Sequence, residues 1–309
     1  HQRTALPLKF LAVGKKIINA NDYEGIPLAD KKKWETDRRG YEFISAFRRT
    51  PFIGRIAFSF FDYTQKILGF YPRRNLSKPN FQLKQNISYI KKNGWGRHLI
   101  QILQLRSGRE PRPLINTFFT SAHMAEIFHY PGQIYCVVCD TDISRSWAPF
   151  NPKKSRIKYF APTSRVVERL KLYGVAPKNI FLTGYPLPQE NIGSSKMEVL
   201  KTDLKNRLVN LDPKGVYLQK YKDLINLKIG RLPEKSNHPL TMMFAVGGAG
   251  AQKDLGVRIV ISLAREIKKG KIKIILVAGS KTKIKNYFLE KTQGLGPAVE
   301  ILFDATPDG

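Results

Sequence analysis

The chain has 309 residues, 42% of them hydrophobic, with 53 Lys and Arg against 24 Asp and Glu and a net charge of +29. That length suits one large or two medium domains with real cores, and no run of about 18 apolar residues is present to form a membrane-spanning helix. The basic excess implies an anionic partner (membrane lipid, nucleic acid or a phosphorylated substrate), unless it is only a basic background.

The chain opens on His1 without a Met or a signal-peptide pattern. Residues 1–20 read as a helix with Ala5, Leu8, Leu11 and Ala12 on its apolar face, ended by Gly14, then a strand over Lys16–Ala20. Asn21 to Asp37 is polar and turn-rich. From Tyr41 to Tyr71, aromatic residues interleave with Arg48, Arg49, Arg55 and Lys66, and Pro51 and Gly54 divide the stretch into two helices. Aromatics beside cations suit a bilayer interface, with Phe47, Arg48, Arg49, Phe52, Arg55 and Phe58 facing the membrane. The same pattern can stack bases, or pack its rings inward and leave the cations in solvent.

Leu83 to Gln104 is helical with a break at Gly94-Trp95-Gly96. Leu114–Thr120 reads as a strand, and Ser121 as the N-cap of a helix carrying His123. His123, Glu126 and His129 lack the spacing of a helical zinc motif. Ile134–Cys139, Ile157–Ala161 and Ile180–Thr183 are strand-like, and a helix over Thr163–Tyr173 ends at Gly174. Alternating strands and helices imply βαβ units and a parallel sheet. Cys136 and Cys139 are the two cysteines. They argue for a reducing compartment, and their spacing on a strand points them to opposite faces, against a redox or zinc role. Asp140 and Asp142 follow at the carboxyl end of that strand, where open parallel sheets bind ligands; they are either a site or turn formers.

Residues 188–238 read as a linker with a helical insertion. Strands at Leu240–Val246, Ile272–Ala278 and Val299–Phe303 then alternate with two helices, and Gly247-Gly248-Ala249-Gly250 joins the first strand to its helix. Such a loop lets backbone approach a diphosphate at a helix N-terminus, or merely turns the chain.

The succession Cys139-Asp140, Trp147, Pro162-Thr163-Ser164, Gly174-Val175 and Thr183-Gly184-Tyr185-Pro186 resembles the N-terminal domain of GT-B glycosyltransferases acting on lipid acceptors. Monogalactosyldiacylglycerol synthases and the N-acetylglucosaminyltransferases of the peptidoglycan precursor belong to that group. Cys139 departs from the Thr of the family pattern. The resemblance covers residues 110–187 and 239–303 and implies an α/β fold of two Rossmann-like domains, both incomplete, with a helical aromatic and basic insertion in the first. The expected parts are an acceptor-side domain at 1–187 without its first strand, the linker at 188–238, and a truncated sugar-nucleotide domain at 239–309.

The implied reaction is inverting transfer of a hexose from a nucleotide-diphosphate sugar to a lipid or lipid-linked acceptor, without metal or further cofactor, in a peripheral protein at the cytoplasmic face of the membrane. Asp140 would be the base and His1 the second candidate; His123, Asp142 and Arg145 would line the acceptor side; Gly247, Gly248, Ala249 and Gly250 would hold the donor diphosphate. A GT-B-fold sugar-nucleotide epimerase and a basic nucleic-acid-binding protein are the other classes. The first leaves the aromatic and basic stretch unexplained, and the second lacks a recognisable nucleic-acid-binding signature.

Overall fold

A computed structural model describes residues 2–47, 67–107, 110–247 and 252–304. The chain forms two compact α/β units, His1–Pro188 and Gln189–Gly309. Each has a parallel sheet with strands in chain order: β1 (Leu114–Asn116), β2 (Ile134–Val137), β3 (Lys158–Ala161) and β4 (Ile180–Leu182) in the first, and β5 (Leu240–Ala245), β6 (Ile272–Gly279) and β7 (Val299–Phe303) in the second. Parallel neighbours need crossovers, and the helices between the strands supply them.

In the first unit, Ile115 pairs with Tyr135, Cys136 with Tyr159, and Phe160 with Phe181. The two-residue period of β2 and β3 buries Ile134, Cys136, Tyr159 and Ala161. Helix α1 is Leu28–Phe47, α2 is Phe81–Asn93 and α3 is Arg97–Ser107. In α2, Leu83, Ile87 and Ile90 fall on one face and are buried, so truncating Leu83 to Ala would cost about 2–5 kcal/mol. Asn80 caps α2 by accepting from the Leu83 amide at 2.9 Å, and Gly94 ends it at φ +68°. Gly96 is required by space as well as by its φ of +83°, because a Cβ there would sit 2.3 Å from the Met124 sulfur.

Helix α4 (Phe119–Ile127) starts two residues before the expected Ser121 cap, and β1 ends at Asn116 rather than at Thr120. Phe119 and Thr120 are both buried, so packing sets the helix start over capping preference, and the Ser121 hydroxyl donates to the Phe118 carbonyl. Two other expectations fail. Lys16–Ala20 forms no strand, and the helix before it is one helical turn followed by two 3₁₀ segments, Leu6–Leu11 and Val13–Lys15. The polar tract at 21–37 enters α1 at Leu28. Tertiary contacts hold that helix in place: the Asp30 carboxylate accepts from the Gly96 amide at 3.0 Å, and Trp34 packs on Trp95. Helix α5 (Ser164–Leu172) matches its expectation, with Thr163 capping the Val166 amide.

The second unit includes the helical tract that the sequence set apart as a linker. Helices α6 (Glu198–Leu211), α7 (Val216–Lys220) and α8 (Lys222–Ile229) precede β5. Buried Asn206 accepts from the Asn237 amide at 2.9 Å, and Asn210 donates to the His238 carbonyl, so α6 is tied to the chain entering β5. Beyond β5 come α9 (Lys253–Ser262), α10 (Ala264–Lys268) and α11 (Thr282–Lys291). They pack Val257, Val260, Ile267, Ile284 and Phe288 with Ile274 and Leu276 of β6. Gly256 lets α9 lie close to the sheet, since a Cβ there would approach the Phe244 ring to 2.7 Å.

Candidate functional site at the carboxyl ends of the first sheet

Past β2 the chain stays paired for one more residue, the Val138 amide donating to the Phe160 carbonyl. Cys136 and Cys139 are free thiols that differ in setting: Cys136 is fully buried, whereas Cys139 is half-buried with its sulfur 3.8 Å from the Thr117 carbonyl. Burial, then the adjacent Asp140 charge, push the Cys139 thiol up.

Asp140 is exposed and makes no hydrogen bond or ion pair with a described residue. The protein around it still dehydrates the carboxylate enough to raise its pKa above the ordinary aspartate value. Nearby, buried Thr4 and the Tyr185 hydroxyl share a 2.9 Å hydrogen bond, and the Thr4 hydroxyl also reaches the Cys139 thiol. The N-terminal turn, the end of β2 and the chain leaving β4 therefore meet here. Thr4 and Tyr185 are 181 positions apart, and nothing in the sequence pairs them. A carboxylate with free acceptor oxygens and a raised pKa can take a proton from a bound hydroxyl.

The residues expected on the acceptor side are engaged elsewhere. Asp142 receives the Arg169 guanidinium at 2.8 and 2.9 Å, Arg165 at 2.8 Å and the Ile143 amide at 2.9 Å. Burial alone would raise its pKa, but the Arg169 hydrogen bonds, the Ile143 amide and Arg165 outweigh that and hold it below the usual range. Arg169 also donates to the Leu68 carbonyl and, with Arg165, lies over the Phe70 ring. Arg165 and Arg169 are four apart on α5, so the helix presents both to one carboxylate. That i, i+4 spacing is the signal in the sequence for a shared acidic partner.

Arg145 is buried, and its guanidinium donates to the carbonyls of Ser77, Ala148 and Pro149 at 2.6–3.0 Å. Burial lowers its pKa to about 10. His123 is 2% exposed inside α4, and neither ring nitrogen has a hydrogen-bond partner of normal geometry. Burial first, then the Arg145 charge, lower its pKa to about 3 against a weaker pull from the Ala148 backbone. Asp142, Arg145 and His123 are thus packing groups rather than open ligand contacts.

His1, Gly248, Ala249 and Gly250 lie outside the described residues, as do Arg48, Arg49, Phe52, Arg55 and Phe58; of Phe47 only the helical backbone is described. Gly247 follows the end of β5 with open space around it. Among the described residues, no three His, Cys, Asp or Glu gather as a metal site, and no helix is long and apolar enough to cross a membrane. Neither sheet, as described, reverses its strand order, so the groups above sit at plain strand ends rather than at a switch-point crevice.

Residues 225–308 match a family described as a domain of unknown function, DUF6938, which covers well under half of the chain. No curated protein matches. A similar solved structure, described as an S. aureus MnaA-UDP co-structure, is 14% identical with a TM-score of 0.39 over 83% of this chain. The chain spans 60% of that structure's chain, and a likeness this distant carries no argument about chemistry.

Proposed function

We propose that the protein belongs to the machinery of inverting glycosyl transfer, moving a hexose from a nucleotide-diphosphate sugar to a lipid or lipid-linked hydroxyl, with Asp140 as the base. The reading is supported by the order of motifs along residues 110–187 and by one structural observation: Asp140 stands exposed at the carboxyl end of a parallel strand with no hydrogen bond or ion pair to a described residue, while Asp142 is held by two arginines. Asp140 accepts the acceptor hydroxyl proton, the oxygen bonds to the anomeric carbon, and the bond to the nucleoside diphosphate breaks, the diphosphate leaving with its electron pair. A raised pKa brings the base nearer to neutrality and favours that proton transfer. The glycine-rich loop after β5 is the proposed diphosphate cradle.

The test is incubation of the protein with labelled nucleotide sugars, with and without vesicles containing diacylglycerol or polyprenyl-phosphate-linked acceptors. Label should pass into the lipid phase, and Asp140→Asn should slow it by about a hundredfold or more. Transfer by Asp140→Asn at the parental rate would remove Asp140 from the reading.

A further inference from the structure

At the other end of the first sheet, α2, α3 and α4 leave an open cavity of about 440 Å³. Lys91, Arg97, Gln101, Gln104, Phe128 and His129 contribute to its lining. His129 follows α4 and precedes β2, so the cavity lies toward the amino ends of the strands, away from Asp140. Arg97, Gln101 and Gln104 are spaced to share one face of α3. Among the described residues, no acidic residue lines the cavity and neither Lys91 nor Arg97 is paired with a carboxylate.

Two placements run against the intrinsic preferences of the chain. The carbonyl end of α2 accounts for Lys91 and Lys92 in its last turn, but Arg97 stands at the first position of α3, whose first turn has no acid. The positive end of a helix disfavours a cation. His129 adopts a left-handed φ of +55°, uncommon for any residue but glycine. The Arg97 guanidinium is also steadied, lying 5.0 Å from the Phe128 ring centroid.

We propose that this cavity binds a small phosphorylated molecule through its phosphoryl group. The two positive charges of Lys91 and Arg97 match the charge of about −1.5 to −2 on a phosphate monoester. The Arg fork, the Lys ammonium, two side-chain amides and an imidazole offer more donors than a single carboxylate can accept, and suit three phosphoryl oxygens.

The experiment is calorimetric titration of the protein with inorganic pyrophosphate at constant ionic strength, with acetate, a short single-stranded oligonucleotide and phosphatidate-containing vesicles as parallel arms. Saturable pyrophosphate binding is expected, at least tenfold weaker in Lys91→Gln/Arg97→Gln. Lys153→Gln/Lys178→Gln, which removes the same charge from exposed positions elsewhere, should change it by less than twofold. Gln101→Glu, which places a negative charge in the cavity at an exposed helical position, should weaken binding as strongly and does not depend on the double variant folding. Equal losses in both double variants, equal binding of acetate, or binding of only the oligonucleotide or the vesicles would each overturn the proposal. None of these readouts involves sugar transfer.

Discussion

The loop after β2 holds two aspartates two residues apart with opposite circumstances. Asp140 is exposed, unpaired among the described residues and raised in pKa; Asp142 is gripped by two arginines and an amide and lowered. Residue type and position at a strand end are nearly the same for both. What separates them is which side chains another element brings up: α5 supplies Arg165 and Arg169 to Asp142 and nothing to Asp140. A pair of acids at a strand end can therefore divide into one structural member and one available member.

The strongest way to break this contrast is Asp142→Ala. It would leave Arg169, whose side chain is 1% exposed, without its counter-charge, and should cost about 3–5 kcal/mol in urea unfolding. A loss under about 1 kcal/mol would mean that Asp142 is no anchor. The pH dependence adds a signature: the Asp142 contribution is present above the unfolded carboxylate value of about 3.9 and is lost as pH falls through the depressed folded value.

His123 gives the next largest effect, in a different window. Its folded pKa of about 3 lies below the unfolded value of about 6.5, so between those values the unfolded state binds more protons and stability falls as pH falls. His123→Leu should remove up to about 1.4 kcal/mol per pH unit of that slope while leaving stability at pH 7 unchanged or higher. Parallel stability curves for parent and variant from pH 6 to pH 4 would contradict the buried, neutral imidazole. The smallest effect belongs to Asp140→Asn, which should leave unfolding within about 0.5 kcal/mol of the parent, because the exposed carboxylate makes no hydrogen bond or ion pair with a described residue. A large destabilisation would merge the two aspartates into one structural class.

Much of the frame was legible in the sequence. The short apolar runs near 134, 157, 180, 240, 272 and 299 are strands, and the helix between the third and fourth strands of the first sheet falls in place. Helix α1 was not legible because Lys31, Lys32, Lys33, Glu35 and Asp37 give its first turns a polar surface; it is secured by Asp30 and Trp34 against residues over sixty positions away. The roles of the two aspartates were hidden for the same reason. Asp142 is defined by Arg165, Arg169 and the chain at Leu68, and His123 by its enclosure in α4, none of which is a local property.

The clamp around Asp142 has a consequence for how this protein can diversify. Arg169 holds the Leu68 carbonyl, Arg145 holds the Ser77 carbonyl, and the Leu76 amide donates to the Leu172 carbonyl. On the upstream side, Asp30 and Trp34 fasten α1 to the Gly94–Gly96 turn. The described residues on both sides of the aromatic and basic stretch are thus fastened to the scaffold. Doubling the length of such a stretch adds only about 0.6 kcal/mol of closure entropy. Its composition can drift while the first sheet and Asp140 keep their places.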